Sequence, residues 1–130
     1  MILGVGVDLA SIERIRKIYE KYPDRFLNRI FTEREMSHFQ SRGASAASLA
    51  ARFAAKEAAL KAIGCGIGPA ALREIEIIAL KGKQPTINLY GEASRLAAQK
   101  NITVINISMT HEFPFACAFA VAFNAAGWYS

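Results

Sequence analysis

Cysteine, tryptophan and long apolar runs are scarce in this chain. Its 130 residues include only 2 Cys and 1 Trp. Cys65 and Cys117 show no C-x₂-C spacing, so the sequence indicates neither a zinc site nor a disulfide framework. No stretch approaches the roughly 20 consecutive apolar residues of a membrane helix, and the first residues lack the basic start of a secretory signal. We therefore expect a cytoplasmic protein with reduced thiols and no membrane partner.

The overall charge is positive, with 16 Lys and Arg against 11 Asp and Glu and a formal net charge of +5. An anionic partner is expected, but charge alone does not separate nucleic acid, a nucleotide cofactor, a membrane surface and an acidic protein. A nucleic-acid-binding module would interleave basic residues with exposed aromatic side chains. Most aromatic residues here fall at core-like positions, so we expect no nucleic-acid partner. A basic, non-enzymatic binding module is the main alternative from another functional class.

Hydrophobic periodicity predicts one α+β domain over residues 1–130, because no repeat or linker divides the chain. Strands are predicted at Ile2–Leu9, Ile75–Ala79, Thr86–Tyr90, Ile102–Thr110 and Phe115–Phe123, and helices at Ser11–Tyr22, Asp24–Ile30, Thr32–Gln40, Ser45–Ile63 and Glu92–Lys100. Thr32-Glu33-Arg34-Glu35 has the form of a capping box, which predicts the start of the third helix. Alanines cover nearly the whole circumference of the longest helix, which is typical of a helix buried among close neighbours. The last strand alternates bulky residues with alanines, so its smooth face suits packing of an antiparallel sheet on that helix.

Charged residues interrupt the long alanine-rich helix. Glu57 and Lys61 are four residues apart and share one face, which on spacing alone also fits an exposed ion pair. On a helix that is apolar nearly all round, however, charges are costly unless a ligand, metal or partner satisfies them. Arg52 and Lys56 bring the number of charges to four within ten residues. This density favours a functional site on the helix.

Asp8 is the candidate partner of Glu57, because it ends a strand in which Gly4 and Gly6 allow another segment to approach closely. Two carboxylates together with phosphate oxygens suit Mg²⁺. The alternative for Asp8 is a turn residue that accepts hydrogen bonds from free amides. The glycine-rich loop containing Gly66 and Gly68 fits either a phosphate-binding loop or a plain connection.

His111 lies at the end of a strand, on the face shared by Ile105, Ile107 and Met109. A histidine in this position is compatible with a structural or a catalytic role. No serine–histidine–acid order and no metal-type histidine pair is visible, so covalent nucleophilic catalysis has little support.

The first long helix carries a basic stripe. At about 100° per residue, Arg14, Lys17 and Lys21 align opposite the isoleucine face, with no acid among them. In the neighbouring stripe, the opposite charges of Glu13, Arg16 and Glu20 largely cancel one another. The stripe fits either a solvated helix face or a docking surface for an acidic partner.

Four segments, taken together and in this order, resemble the holo-acyl-carrier-protein synthases, a family of 4′-phosphopantetheinyl transferases. They are Gly4-Val-Gly-Val-Asp8, Arg29-Ile-Phe-Thr-Glu33, Arg52-Phe-Ala-Ala-Lys-Glu-Ala58 with Lys61, and Ser108-Met-Thr-His111. The resemblance runs from Met1 to about Phe123. It implies the 4′-phosphopantetheinyl transferase fold and an enzyme that moves 4′-phosphopantetheine from coenzyme A to a serine of an apo acyl carrier protein. It also implies release of adenosine 3′,5′-bisphosphate and a role in fatty acid biosynthesis.

The resemblance also implies roles for individual residues. Asp8 and Glu57 would hold Mg²⁺, and Lys61 would neutralise phosphate charge. Arg52, Lys61, Gly64, Ser108, Thr110 and His111 would bind coenzyme A, whereas Arg14, Lys17, Lys21, Arg25 and Phe26 would bind the acidic acyl carrier protein. The family forms homotrimers with a site at each subunit interface, which would explain the smooth alanine surfaces. The acceptor of the serine proton is left open among Glu57, Asp8 and a metal-bound water.

Overall fold

The computed structural model describes residues 1–65, 71–80 and 82–128. Its elements are β1 (Ile2–Ser11), α1 (Ile12–Lys21), α2 (Pro23–Ile30), α3 (Glu33–Arg42), α4 (Ala46–Ile63), β2 (Ile75–Ile78), β3 (Thr86–Leu89), α5 (Gly91–Gln99), β4 (Val104–Glu112) and β5 (Phe115–Phe123). Each corresponds to a predicted helix or strand, with ends that differ by a few residues. Two short 3₁₀ turns, Leu72–Glu74 and Ala125–Trp128, were not predicted. The predicted loop glycines Gly66 and Gly68 lie outside the described residues.

Local capping explains where the helices begin and end. Ser11 Oγ accepts a hydrogen bond from the Arg14 N–H at the start of α1. Thr32 and Glu35 form the predicted capping box of α3, in which each side chain accepts from the other residue's N–H. At the C-terminal end of α4, Gly64 adopts φ +84°, a left-handed conformation that glycine tolerates best. These caps are short-range features, which is why they were visible in the sequence.

The five strands form one antiparallel sheet in the order β1-β5-β4-β3-β2. α4 packs across β1, β5 and β4 and is the central helix of the core. This arrangement confirms the predicted α+β class and the packing of an antiparallel sheet on the alanine-rich helix.

The contact between α4 and the sheet is unusually close because both surfaces are made of small residues. The β5 alanines, Ala116, Ala118, Ala120 and Ala122, are each at most 1% exposed. On β1, a Cβ atom added to Gly4 would lie 1.9 Å from the Ala62 carbonyl oxygen, and one added to Gly6 would lie 2.0 Å from that of Ala58. Only glycine therefore fits at these two positions of β1.

The alanine face of β5 is thus inside the fold of a single chain. The expectation that smooth alanine surfaces form the contact between subunits was wrong, because α4 already covers them. The opposite, outer face of β1 and β5 is the exposed one. Its apolar side chains include Val5, Val7, Leu9, Phe115 and Phe119, which are 46–61% exposed.

In the described part of the chain, no helix is both long and apolar enough to cross a membrane. Cys65 and Cys117 are free thiols, as the sequence predicted.

Candidate active site at the contact of β1 and α4

Asp8, Glu57 and Lys61 meet where the end of β1 crosses α4. The Lys61 ammonium donates to Asp8 Oδ1 at 3.2 Å and to the carbonyl oxygen of Val7 at 2.9 Å. The pKa of Glu57 is raised by burial and also by the nearby charge of Asp8. The structure therefore brings the Asp8 carboxylate next to the Lys61 ammonium, 53 residues later in the sequence, and next to Glu57 on the same helix.

The periodicities of the two elements explain this meeting. Alternate residues of a strand share a face, so Asp8 faces α4 together with Gly4 and Gly6. On α4, the glycine-contacting residues Ala58 and Ala62 are each preceded by a charged residue, Glu57 and Lys61 respectively. The glycines bring the backbones together, and the charged side chains meet beyond them.

The environment of Glu57 favours a bound cation. Glu57 is 8% exposed. Burial raises the pKa of Glu57, the Asp8 charge raises it further, and the Lys61 ammonium acts in the opposite direction. A positive charge placed between the two carboxylates would relieve both their repulsion and the cost of burying Glu57.

The donor set fits Mg²⁺. Among the described residues there is no cluster of three or more acidic, histidine or cysteine side chains that could enclose a metal. Mg²⁺ in proteins commonly uses one or two carboxylates and completes its octahedron with water and substrate phosphates. Asp8 and Glu57 supply this number of carboxylates, and the Asp8 side chain is 19% exposed. The site is therefore accessible to a phosphate-bearing ligand.

The two other charged residues of α4 point elsewhere. Lys56 is fully buried and pairs with Glu35, so it is not part of the group formed by Asp8, Glu57 and Lys61. The Arg52 guanidinium lies over the Phe39 ring, 5.5 Å from its centroid, on the side of α4 that faces α3. A single chain therefore does not bring Arg52 to Asp8.

The predicted coenzyme A residues of β4 lie on both faces of the sheet. In the register, Ser108 is opposite Phe119 and Thr110 is opposite Cys117, so both side chains belong to the exposed outer face. His111 is opposite Ala116 and belongs to the face that carries Asp8. Gly64 ends α4 one turn beyond Lys61. Within one chain the sheet therefore separates Ser108 and Thr110 from Asp8, whereas His111 lies on the Asp8 side.

The basic stripe of α1 is exposed, as the sequence predicted. Arg14, Lys17 and Lys21 face solvent, whereas Arg16 in the neighbouring stripe pairs with Glu13 and Glu20. Arg25 on α2 is also exposed, and its guanidinium lies 6.0 Å from the centroid of the Tyr22 ring.

A groove of about 800 Å³ runs between α1, α2 and the ends of β1 and β5. It is lined by Leu9, Ala10, Ser11, Arg14, Ile15, Ile18, Tyr22, Arg25, Phe26, Arg29, Ile30, Phe53 and Phe115. Phe26 is 6% exposed and packs edge-on against Tyr19 and Phe31, so it belongs to the floor of the groove rather than to its rim. Phe53, one helical turn before Glu57 on α4, lines this groove, so one end of the groove is next to the carboxylates.

Sequence reasoning missed the contacts that surround Gly64 and Lys56. Lys100, at the end of α5, donates to the carbonyl oxygen of Ile63 at 2.6 Å and lies against Gly64. Glu35 was identified only as the capping residue of α3, although it also binds Lys56. No periodicity links residues this far apart. The buried position of Lys56 among apolar residues of α4 was the one available signal.

Comparison with known proteins agrees with this geometry. Residues 4–118 match the 4′-phosphopantetheinyl transferase superfamily. The holo-[acyl-carrier-protein] synthase of Desulforudis audaxviator is 44% identical over 122 residues, which cover 94% of this chain and 93% of that protein. The crystal structure of the holo-[acyl-carrier-protein] synthase of Neisseria meningitidis has 35% identity and a TM-score of 0.85, and the match covers 95% of this chain and 100% of that one. A Helicobacter pylori holo-[acyl-carrier-protein] synthase in complex with coenzyme A has 30% identity and a TM-score of 0.78, with coverage of 92% and 99%.

The fold and the match over most of the chain define a 4′-phosphopantetheinyl transferase. Within that superfamily the chain belongs to the holo-[acyl-carrier-protein] synthase family. Its activity is the transfer of 4′-phosphopantetheine from coenzyme A to an apo acyl carrier protein.

Proposed function

We propose that Asp8, Glu57 and Lys61 form the transfer centre of this enzyme, with Asp8 and Glu57 as ligands of Mg²⁺. The observation that carries the proposal is the meeting of these three side chains at the contact of β1 and α4. When bound, Mg²⁺ would neutralise charge on the diphosphate of coenzyme A and stabilise the charge that develops during transfer. We also propose that residues 1–130 form one transferase domain, which acts in the cytoplasm.

The chain's own contribution is to hold and neutralise charge. The serine oxygen of the carrier forms a bond to the β-phosphorus, which bears the pantetheine arm, and the bond from that phosphorus to the bridging oxygen breaks. Adenosine 3′,5′-bisphosphate leaves with the bridging oxygen, and the serine proton is released. Lys61 would donate hydrogen bonds to the diphosphate, because its ammonium already lies beside Asp8 and its side chain is 54% exposed. No covalent bond to the enzyme is required.

The separation of the predicted coenzyme A residues supports a site that is completed at an interface between subunits of a homotrimer. Ser108 and Thr110 lie on the outer face of the sheet, whereas Asp8 faces α4. Arg52 lies on a third surface, next to α3. A second copy placed against the outer face would bring its own Arg52, or its own Asp8 and Glu57, next to these β4 hydroxyls. The cofactor pocket would then be completed between two subunits.

The exposed side chains of the outer face support such an assembly. Val7, Leu9, Phe115 and Phe119 are all at least 46% exposed in the single chain. Contiguous apolar surface of this kind is characteristic of protein interfaces. The family resemblance supplies the number of copies, which is three.

The acyl carrier protein would dock on the groove between α1 and α2. The rim of this groove carries Arg14, Arg25 and Arg29, and its interior is apolar. An acidic helix with an apolar side chain has the complementary chemistry. Because one end of the groove is next to Asp8, a serine at the end of the docked helix would reach the transfer centre.

Intact mass spectrometry tests the proposed reaction. The protein is mixed with coenzyme A, Mg²⁺ and an apo acyl carrier protein, and the carrier is weighed before and after incubation. We expect the carrier to gain the mass of 4′-phosphopantetheine, and we expect chelation of Mg²⁺ to prevent the gain. A gain of phosphate alone would indicate a different Mg²⁺-dependent phosphotransferase, and transfer in the presence of the chelator would contradict the role of the metal.

A further inference from the structure

Lys56 and Glu35 form an ion pair inside the core, remote from solvent. Lys56 is 0% exposed and Glu35 is 3% exposed. The Lys56 ammonium donates to Glu35 Oε1 at 2.7 Å and to the carbonyl oxygens of Ile75 and Leu72 at 2.5 and 3.2 Å. An ammonium has three donors, so these three acceptors satisfy it completely.

Glu35 is also fully engaged. Its Oε1 accepts from the Thr32 N–H at 2.9 Å, and its Oε2 accepts from the Ile77 N–H at 3.1 Å. The pair therefore joins three elements: α4 through Lys56, the start of α3 through Thr32, and β2 through the backbone of Ile75 and Ile77. Each of these hydrogen bonds has a defined direction, unlike the apolar contacts around it.

On the side of α4 that faces β1, the directional contacts among the described residues come from Lys61, whose 54% exposed side chain donates to Val7 and Asp8. The buried contacts on this side are apolar. There Ala58 and Ala62 pack against Gly6 and Gly4. Apolar contacts are non-directional. Small smooth side chains of this kind permit close approach, but they do not by themselves select one rotation of the helix about its axis.

The rotation of α4 matters for the transfer centre because Lys56 directly precedes Glu57. Successive residues of an α-helix are about 100° apart, so the angular position of Lys56 fixes that of Glu57 and of Lys61 one turn later. We infer that the Lys56–Glu35 pair is a positioning pair, which holds α4 in the rotation that directs Glu57 and Lys61 toward Asp8. This inference rests on the proposed role of Asp8 and Glu57 as metal ligands.

A purely stabilising role would be a weaker explanation of this pair. Burial of two charges is costly, and apolar residues of similar volume often stabilise a core equally well. What an apolar pair would not provide is the set of directional hydrogen bonds to Ile75, Leu72 and Ile77. The two explanations predict different Mg²⁺ affinities. A positioning role predicts that the affinity falls when the pair is removed, whereas a purely stabilising role predicts that it falls with any equal loss of stability.

The test compares the double variant Glu35→Gln/Lys56→Met with the wild type and with Ile102→Ala. The double variant removes both charges at nearly constant volume. Ile102→Ala truncates a side chain that is 8% exposed and follows α5, so it serves as the destabilised control. Binding of Mg²⁺ alone is measured by calorimetry, global stability by denaturant unfolding, and the kcat and KM values with coenzyme A and the carrier by steady-state kinetics.

We expect the double variant to bind Mg²⁺ about tenfold more weakly and to lose a similar factor in kcat, with little change in the KM for the carrier. The Ile102→Ala control should lose stability but keep its Mg²⁺ affinity. Wild-type Mg²⁺ affinity in the double variant would overturn the inference. A wild-type protein whose Mg²⁺ binding does not depend on Asp8 and Glu57 would instead overturn the proposed function.

A second variant covers the case in which the double variant does not fold. Glu35→Gln alone keeps the side-chain volume and one carbonyl oxygen that can accept from Lys56. It loses the acceptor for the Ile77 N–H, so the link from α4 to β2 is weakened. We expect a smaller loss of Mg²⁺ affinity, in the same direction. Unchanged affinity in this folded variant would also overturn the inference.

Discussion

The Lys61 ammonium lies 3.2 Å from Asp8 Oδ1 and connects the last charged turn of α4 to the edge strand β1. In the proposed transfer centre this contact gives Lys61 two roles that are separable by experiment. Lys61 would supply positive charge for the phosphates of coenzyme A, and it would compete with a metal ion for Asp8.

Replacement of Lys61 by glutamine should separate catalysis from metal binding. We expect kcat to fall by about 100-fold or more, as for the loss of one preorganised donor in other enzymes. We expect Mg²⁺ affinity to stay the same or to rise, because the competing ammonium is removed from Asp8. Calorimetry with Mg²⁺ and turnover measurements check the two expectations. Lys61→Arg is the charge-preserving control, and loss of Mg²⁺ binding in Lys61→Gln would contradict this division of roles.

The raised pKa of Glu57 predicts how Mg²⁺ binding depends on pH. A metal ligand must be deprotonated, so protons compete with Mg²⁺ at Glu57. Because burial and the Asp8 charge place the pKa of Glu57 above the ordinary glutamate range, the apparent affinity should be constant above this raised pKa. The apparent affinity should fall by about tenfold for each pH unit below this pKa. Calorimetric titrations across the acidic range measure this slope.

The same raised pKa has a consequence for stability. A carboxyl group whose folded-state pKa exceeds its unfolded-state pKa contributes stability below the unfolded value, and this contribution is lost as the pH rises through the folded value. The Glu57→Gln variant has no carboxyl group at this position and therefore does not lose stability in this way. In the absence of metal, its free energy of unfolding should increase with pH relative to that of the wild type. A constant difference across this range would contradict the assignment of the pKa shift to Glu57.

Charge reversal on the basic stripe of α1 should affect the carrier and not coenzyme A. We expect Arg14→Glu/Lys21→Glu to raise the KM for the carrier by about tenfold at low salt, because electrostatic steering is lost. Added salt should reduce the difference between variant and wild type. Arg73→Glu/Arg95→Glu reverses two exposed charges elsewhere and serves as the control with the same net charge. Equal effects of both double variants would exclude a specific docking surface on α1.

The outer face of the sheet should control the oligomeric state. We expect Phe119→Glu to convert the proposed trimer to monomers, since it places a charge in the exposed apolar surface of β5, where Phe119 is 46% exposed. Leu80→Glu is the matched control on another surface, because Leu80 is 60% exposed. Light scattering measures the mass of each variant. An unchanged trimer in Phe119→Glu, or a fully active monomer, would contradict the shared site.

Ala120→Glu is unsuitable for this test, because Ala120 is buried under α4 and its replacement would disrupt the fold.

The sequence was informative wherever the responsible contacts are local. The N-caps at Ser11 and Ser45 and the capping box at Thr32 each span four residues, and they mark the first residues of α1, α4 and α3. Strand alternation correctly placed His111 on the same face as Ile107. The spacing of Glu57 and Lys61 correctly predicted a shared face of α4, and the glycines of β1 indicated a close approach by another element.

Long-range pairing was not accessible in the same way. Nothing in the pattern links Glu35 to Lys56, because the pair depends on how α3 and β2 are placed around α4. The alternation of β5 showed that it has a smooth and a bulky face, but not that a single α4 would cover the smooth face completely. For that reason the sequence did not exclude the smooth face as a contact between subunits, whereas the structure does.

The most direct test of the central claim is the Mg²⁺ dependence of single-turnover transfer in the wild type, Asp8→Asn and Glu57→Gln. Circular dichroism first establishes that each variant is folded, which we expect because neither carboxylate builds the core. The wild-type rate should rise with Mg²⁺ and saturate, whereas each variant should show almost no transfer at the Mg²⁺ concentration that saturates the wild type. A folded variant with near-wild-type transfer at that concentration would contradict the assignment of Asp8 and Glu57 as the metal ligands.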